Sequence, residues 1–322
     1  MNVSEVKLLA ERIAGNVSKV IVGKEEVLRL ILAAILAKGH VLLEDVPGTG
    51  KTMLAKALAK SVDCSFGRVQ FTPDLLPSEL TGLQIYNPKT GEFAFKQGAL
   101  FAGILLADEI NRATPRTQSG LLESMEERQV TVDGQTHALP APFFVMATQN
   151  PVETQGTFPL PEAQLDRFLL RLRLGYPSEA ESVTVLQRHV AAQPLESLSP
   201  VCTVQQLEGM SAAVRGVYMH PEVLAYIVRL AQATREHEAI LLGASTRAQI
   251  ALARAAQAAA AMAGRGYATP DDVKEMLPAV LCHRLSMRAT GYGAAQAKAA
   301  EKVVADIAAA TEVPVEAWGK ER

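Results

Sequence analysis

The apolar positions of this chain change their spacing twice. Val6, Leu9, Ile13, Val17 and Val20 fall three or four residues apart, which predicts an amphipathic helix over residues 4–20. A second apolar helix is expected through Val27, Leu30, Ile31 and Ile35, ended by Gly39-His40. The pattern then turns to short runs suited to buried strands: Val41-Leu42-Leu43, Arg68-Val69-Gln70-Phe71, Gly103 to Ala107, and Phe143 to Thr148. Two stretches alternate around turn residues and predict hairpins. One spans Thr81 to Lys96 around Asn87-Pro88-Lys89-Thr90-Gly91, and the other spans Gln129 to Thr136 around Asp133-Gly134. Several apolar strands alternating with helices predict an α/β fold built on a parallel sheet.

At Tyr176-Pro177 helical spacing returns and lasts to the end. Ser178 with Glu181 makes a capping box, Thr203 with Gln206 marks another start, and Pro221 and Thr269-Pro270 begin two more helices. Helices are expected near 178–192, 203–215, 221–237, 246–263, 270–283 and 292–310. The Ala-rich run from Ala251 to Ala263 reads as a packed helix, because alanine has the best helix propensity. The expectation is therefore an α/β domain over 1–176 and an all-α domain over 177–322.

The chemistry concentrates where the first strand ends. Strand, Gly-rich loop and helix follow one another through His40 to Lys60, the context a phosphate-binding P-loop requires. Nucleotide contacts are expected along Asp45, Val46, Pro47, Gly48, Thr49, Gly50, Lys51, Thr52 and Met53. The glycines let successive N–H groups point at one anion, and the helix that follows adds its positive dipole end. Lys51 is expected to reach the β- and γ-phosphates of ATP, and Thr52 to hold Mg²⁺ through its hydroxyl. Asp45 stands where the general pattern has its first glycine, at the end of the loop that contacts phosphate least.

Further candidates sit at later strand ends, where ligands of parallel sheets bind. Asp108-Glu109 closes an apolar strand in the form of a Walker B motif. Asp108 is expected to hold Mg²⁺ and Glu109 to polarise the attacking water. Asn150 either hydrogen-bonds the γ-phosphate and that water or only forms a turn before Pro151. Arg167 reads as a finger toward a neighbouring subunit's nucleotide or as a salt bridge to Asp166 or Glu162, with Arg112 and Arg128 in reserve. Arg247, in the first turn of a helix in the second domain, either swings onto the γ-phosphate or is an exposed helical arginine. The Val22-Gly23 turn either walls the adenine ring or simply joins two helices.

Composition narrows the classes. A net charge of −2 argues against wholesale electrostatic binding to nucleic acid. Cys64, Cys202 and Cys282 have no metal-ligand spacing and read as reduced thiols. The N-terminus has no basic start followed by an apolar block, and the longest apolar run, Leu30 to Ala37, is too short to span a bilayer. A cytoplasmic protein is expected.

Taken together these stretches resemble the AAA+ ATPases, and among them the MoxR family. The likeness is carried by Leu42 to Thr52, by Gln70 to Gly82 (QFTPDLLPSELTG), by Asp108 to Ala113 (DEINRA) and by Leu121 to Val130. It continues in Ala147 to Pro151 and Leu160 to Phe168 (LPEAQLDRF), and runs from about Val22 to Arg284. The resemblance implies that the first hairpin is the helix 2 insertion of this branch and the second the hairpin before sensor 1. It also implies sensor 1 at Asn150, the arginine finger at Arg167 and sensor 2 at Arg247. A hexameric ring is implied, with Mg-dependent ATP hydrolysis driving chaperone-like remodelling or maturation of a protein client. A von Willebrand factor A domain protein is the implied partner, as a separate chain. Two readings stay open beside this one: a nucleic-acid-directed motor, and the ATPase subunit of a metal chelatase-like complex. The hairpin tips, with Lys89 and Asp133 between them, are poor for tracking phosphates, which argues against the motor.

Overall fold

A computed structural model describes residues 1–89, 91–150, 156–191, 193–288 and 294–314. Thr90 in the first hairpin turn, Pro151, and the expected helix start at 292–293 lie outside the described residues. The chain divides into two compact units, Leu8–Gly209 and Met1–Lys7 with Met210–Arg322.

The larger unit holds α1 (Val3–Val17) from Leu8 onward, α2 (Glu25–Leu36), β1 (Val41–Glu44), α3 (Lys51–Ser61), β2 (Phe66–Gln70) and α4 (Pro77–Thr81). After these come the hairpin β3 (Gly82–Asn87) and β4 (Glu92–Gln97), then β5 (Ile104–Asp108) and α5 (Pro115–Glu127). The second hairpin, β6 (Gln129–Val132) and β7 (Gln135–Ala138), leads to β8 (Phe144–Gln149), α6 (Glu162–Leu165), β9 (Leu170–Leu172), α7 (Glu179–Ala191) and the first half of α8 (Val204–Arg215). Five strands form one parallel sheet in the order β2-β5-β8-β1-β9. Val41 to Leu43, Ile104 to Ala107 and Phe144 to Ala147 are all buried, because central parallel strands are covered on both faces. Their apolar runs were the legible signal. The edge strand β9 is three residues long, too short to show a period, and was not expected.

Both hairpins form as the turns predict, with Tyr86 opposite Phe93 in the first and Thr131 opposite Thr136 in the second. The neck of the first hairpin is crowded. A Cβ on Gly98 would lie 2.2 Å from the Leu80 carbonyl oxygen, and one on Gly82, at φ 96°, 2.4 Å from that of Lys96. Only glycine fits at either position. The two hairpins are joined by a ring stack of Phe95 on His137, with centroids 3.8 Å apart.

One buried histidine ties the sheet to α5. His40 Nδ1 accepts from the Val145 N–H at 3.0 Å, and Nε2 faces the Met125 carbonyl at 3.1 Å. That arrangement assigns the Nε2–H tautomer. Burial, and secondarily the positive charge of Arg128, push its pKa down to about 3, against a smaller rise from the Met125 hydrogen bond.

The second unit holds the rest of α8, then α9 (Pro221–Glu236), β10 (Ile240–Leu242), α10 (Thr246–Met262), α11 (Pro270–Leu281), β11 (Ser286–Met287) and α12 (Ala294–Ala310). The helices lie within two residues of the expected spans. The Ser178–Glu181 and Thr203–Gln206 boxes make both reciprocal bonds, at 2.7 and 3.3 Å and at 2.9 and 3.2 Å. Ala251, Ala255, Ala256 and Ala258 to Ala261 are all buried, as expected of a packed helix. The expected all-α character needs one correction. Ile240–Leu242 pairs antiparallel with Ser286–Met287, a ladder between segments distant in sequence that helical periodicity does not reveal. No helix among the described residues is long and apolar enough to cross a membrane.

Candidate active site

The sheet register brings the chemistry together. Gln70 lies opposite Asp108, Ala107 opposite Ala147, and Glu44 opposite Gln149, so the carboxyl ends of β1, β2, β5 and β8 are level. Polar residues at those ends surround one cavity of about 430 Å³, lined by Asp45, Pro47, Gly48, Gly50, Lys51, Thr52, Met53, Arg68, Gln70, Asp108, Glu109, Thr148 and Asn150.

The loop after β1 forms one wall. Gly48 and Gly50 have φ of 83° and 91°, and an added Cβ at either would meet nothing within 4 Å. Glycine is needed there for the left-handed backbone rather than for space. Gly50 is the N-cap of α3, so the first-turn N–H groups and dipole of that helix face the cavity mouth. Lys51 Nζ donates to the carbonyls of Asp45 (3.1 Å) and Val46 (2.8 Å), which holds the amine beside the loop.

Asp45 explains its own departure from the general loop pattern. Its Oδ1 accepts from the Val46 N–H at 2.9 Å, and its Oδ2 accepts from Leu174 at 2.7 Å and Gly175 at 2.8 Å. The residue is 7% exposed. The carboxylate is thus bound to the backbone and ties the loop to the segment after β9.

The acidic pair forms the opposite wall. Asp108 Oδ1 accepts from the Thr148 hydroxyl at 2.6 Å and Oδ2 from Arg68 Nη2 at 2.8 Å. Glu109 sits at φ 56°, ψ 51°, a left-handed conformation that costs a non-glycine residue on the order of 1 kcal/mol or more. Its N–H donates to Thr148 Oγ1 at 2.8 Å, so one hydroxyl orients both acidic residues. Glu109 Oε2 accepts from Gln70 Nε2 at 2.7 Å and faces Arg112 Nε at 3.2 Å. Asn150 lies buried at the end of β8.

The donor set suits a hard divalent cation. Thr52 and Asp108 offer oxygen ligands in the same cavity, and Mg²⁺ takes one or two protein oxygens with the rest from phosphate and water. No cluster of three or more His, Cys, Asp or Glu side chains able to cage a metal occurs among the described residues.

Comparison with known proteins gives the same answer. Residues 40–170 match the ATPase family associated with various cellular activities (AAA), and 232–307 match the AAA lid domain. The chain is 51% identical to the uncharacterized protein YeaC of Bacillus subtilis, across 94% of this chain and 93% of that one. It is 41% identical to Chaperone MoxR1 of Mycobacterium tuberculosis, across 85% of this chain and 75% of that one. The chain belongs to the MoxR family of AAA+ ATPases. A crystal structure from Cytophaga hutchinsonii superposes with a TM-score of 0.87 at 36% identity, covering 97% of this chain and 98% of that one.

Within this MoxR-family chain each remaining candidate has surroundings of its own. Arg167 Nε pairs with Glu126 Oε2 of α5 at 3.1 Å, a partner distinct from the expected Asp166 and Glu162. Arg112 stands on Glu109 of its own site, and Arg128 donates to the carbonyls of Phe143 and Lys38. Val22 and Gly23 do not line the cavity. Gly23, at φ 69°, packs so closely on Glu181 that a Cβ would overlap that carboxylate. Val46 forms part of the loop backbone, and Thr49 Oγ1 donates to its carbonyl at 3.4 Å. Arg247 is exposed in the first turn of α10, in the other unit. Sequence reasoning missed Arg68, Gln70 and Thr148. Their signal was position, since Gln70 and Thr148 are polar residues at the carboxyl ends of strands next to β5 and Arg68 stands two residues before Gln70.

Proposed function

We propose that this protein hydrolyses ATP with Mg²⁺ and uses the energy to remodel or mature protein clients. One observation carries the reading. A single cavity at the strand ends gathers the Gly-rich loop, Lys51, Thr52, both acidic residues and Asn150. When bound, the triphosphate would supply the electrophilic phosphorus and Mg²⁺ the positive charge that stabilises the phosphate oxygens during transfer. Lys51 and the α3 N-terminus bind the phosphates, Thr52 and Asp108 hold the cation, and Glu109 accepts the proton of the attacking water. Asn150 orients that water, Arg247 senses the γ-phosphate, and Arg167 leaves Glu126 to complete the site of a neighbouring copy in a hexameric ring. We assign the nucleotide-binding role to residues 1–176 and the lid role to 177–322, with Val22 and Gly23 beside the base and the ring in the cytoplasm.

The two hairpins support a protein client. Phe93 is 70% exposed and pairs with Tyr86 at 5.3 Å just below the tip, and the Phe95–His137 stack makes both hairpins one lever. The hairpin tips carry Lys89 together with the acidic Glu92 and Asp133, a poor set for tracking the phosphates of a nucleic acid. The name of the mycobacterial relative, Chaperone MoxR1, supports a remodelling role. A separate von Willebrand factor A domain protein is the expected partner.

The test is Glu109→Gln in the full chain. Turnover should fall roughly 10²–10⁴-fold while ATP binding persists, as removal of a general base requires. With Mg·ATP, the tagged variant should retain a von Willebrand factor A protein or a metalloenzyme precursor from native extract, and lose it without ATP. Undiminished hydrolysis would remove Glu109 from its role, and nuclease-sensitive nucleic acid in the retained fraction would favour the motor reading.

A further inference from the structure

We infer that Arg68 competes with the divalent cation for Asp108 and so sets the cation requirement for nucleotide binding. The inference rests on the ATPase reading above and deepens it.

Arg68 and Gln70 are two apart on β2, so both side chains project from the same face of the edge strand. Arg68 Nη2 donates to Asp108 Oδ2 at 2.8 Å, while Thr148 takes Oδ1 at 2.6 Å. Every carboxylate oxygen of Asp108 therefore has a partner, and the one on the open side is a full positive charge. A guanidinium and a doubly charged cation cannot share that oxygen without strong repulsion. Arg68 must leave for the cation to be held.

It is built to leave. The Arg68 side chain is 47% exposed and that of Asp108 14%. An ion pair of that exposure is weak and yields to a stronger ligand. Thr148 is buried and stays to orient the carboxylate.

The departure reaches the second acidic residue. Arg68 Nη2 also donates to Gln70 Oε1 at 3.4 Å, and Gln70 Nε2 donates to Glu109 Oε2 at 2.7 Å. The Gln70 amide is thus held at both ends, by the guanidinium at its oxygen and by Glu109 at its nitrogen. When Arg68 moves, the amide loses its anchor at Oε1 and is held less firmly against Glu109. Arg68 is thus a positioning residue that ties the general base to cation loading.

The experiment measures binding, not turnover. Fluorescent ADP is bound to the full chain while Mg²⁺ is titrated, for wild type, Arg68→Gln, Arg68→Met and Arg68→Lys, with circular dichroism confirming the fold of each. The half-saturating Mg²⁺ concentration should fall roughly two- to fivefold in the Gln and Met variants, the worth of a half-exposed ion pair. The Lys variant, which keeps the charge, should stay closer to wild type. An unchanged Mg²⁺ requirement in both neutral variants would overturn the inference. A raised one would do so as well, by showing that Arg68 serves the nucleotide instead. ADP binding that needs no Mg²⁺ in wild type would overturn the inference alone, whereas absence of any ADP binding by the folded wild type would overturn the ATPase reading, and the inference with it.

Discussion

Replacing Asp45 with glycine would bring the loop into line with the general P-loop pattern, and the structure requires that this change destabilise the protein. The carboxylate accepts backbone N–H groups from Val46, Leu174 and Gly175 at 2.7 to 2.9 Å and is 7% exposed. Hydrogen bonds to a charged group contribute about 1.5–3 kcal/mol each. The Val46 bond is local and is partly remade in the unfolded chain, so the two long-range bonds dominate. A loss of about 3–6 kcal/mol follows, with roughly 0.5–1 kcal/mol more from the added backbone freedom of glycine. That is a large share of the 5–15 kcal/mol typical of a domain. Asp45→Asn keeps one acceptor oxygen and should lose roughly half as much. Urea denaturation followed by circular dichroism gives the total, and hydrogen exchange of the peptide carrying Leu174 and Gly175 gives the local effect. A shift of under about 1 kcal/mol in Asp45→Gly, with exchange at those amides unchanged, would refute the anchor argument.

Two further predictions concern residues that the fold, not the motif, made specific. His40 has a folded-state pKa lowered from 6.5 to about 3, so unfolding takes up a proton below pH 6.5. Its contribution is whole above that pH and is lost as pH falls toward 3, at about 1.4 kcal/mol per unit. Between pH 7 and 5 the wild type should lose about 2 kcal/mol more than His40→Gln in urea titrations, and equal slopes would sink the assignment. For Arg167, mixing Arg167→Ala subunits, whose own acidic pair is intact, with Glu109→Gln subunits, whose Arg167 is intact, should restore hydrolysis well above either alone. Turnover that stays at the sum of the two separate preparations would show that Arg167 does not act on a neighbour.

The sequence alone determined whatever depends on a few consecutive residues. The loop glycines, Lys51 and Thr52 were legible because phosphate binding needs them adjacent, and the helix starts because a capping box closes within three residues. The hairpins were legible from their turn residues, and the central strands from their apolar runs. Register decided the rest. That Gln70 faces Glu109, that Arg68 reaches Asp108 and that Thr148 orients both acidic residues follow only from β2 and β8 flanking β5 with their ends level. Asp45 looked like a tolerated exception until its carboxylate met Leu174 and Gly175, about 130 positions away. Arg167 found Glu126 rather than the nearby Asp166 or Glu162 for the same reason. Local backbone chemistry is written in adjacent residues, whereas the pairing of charges across a sheet is set by which strands stack side by side, and that is a property of the whole folded chain.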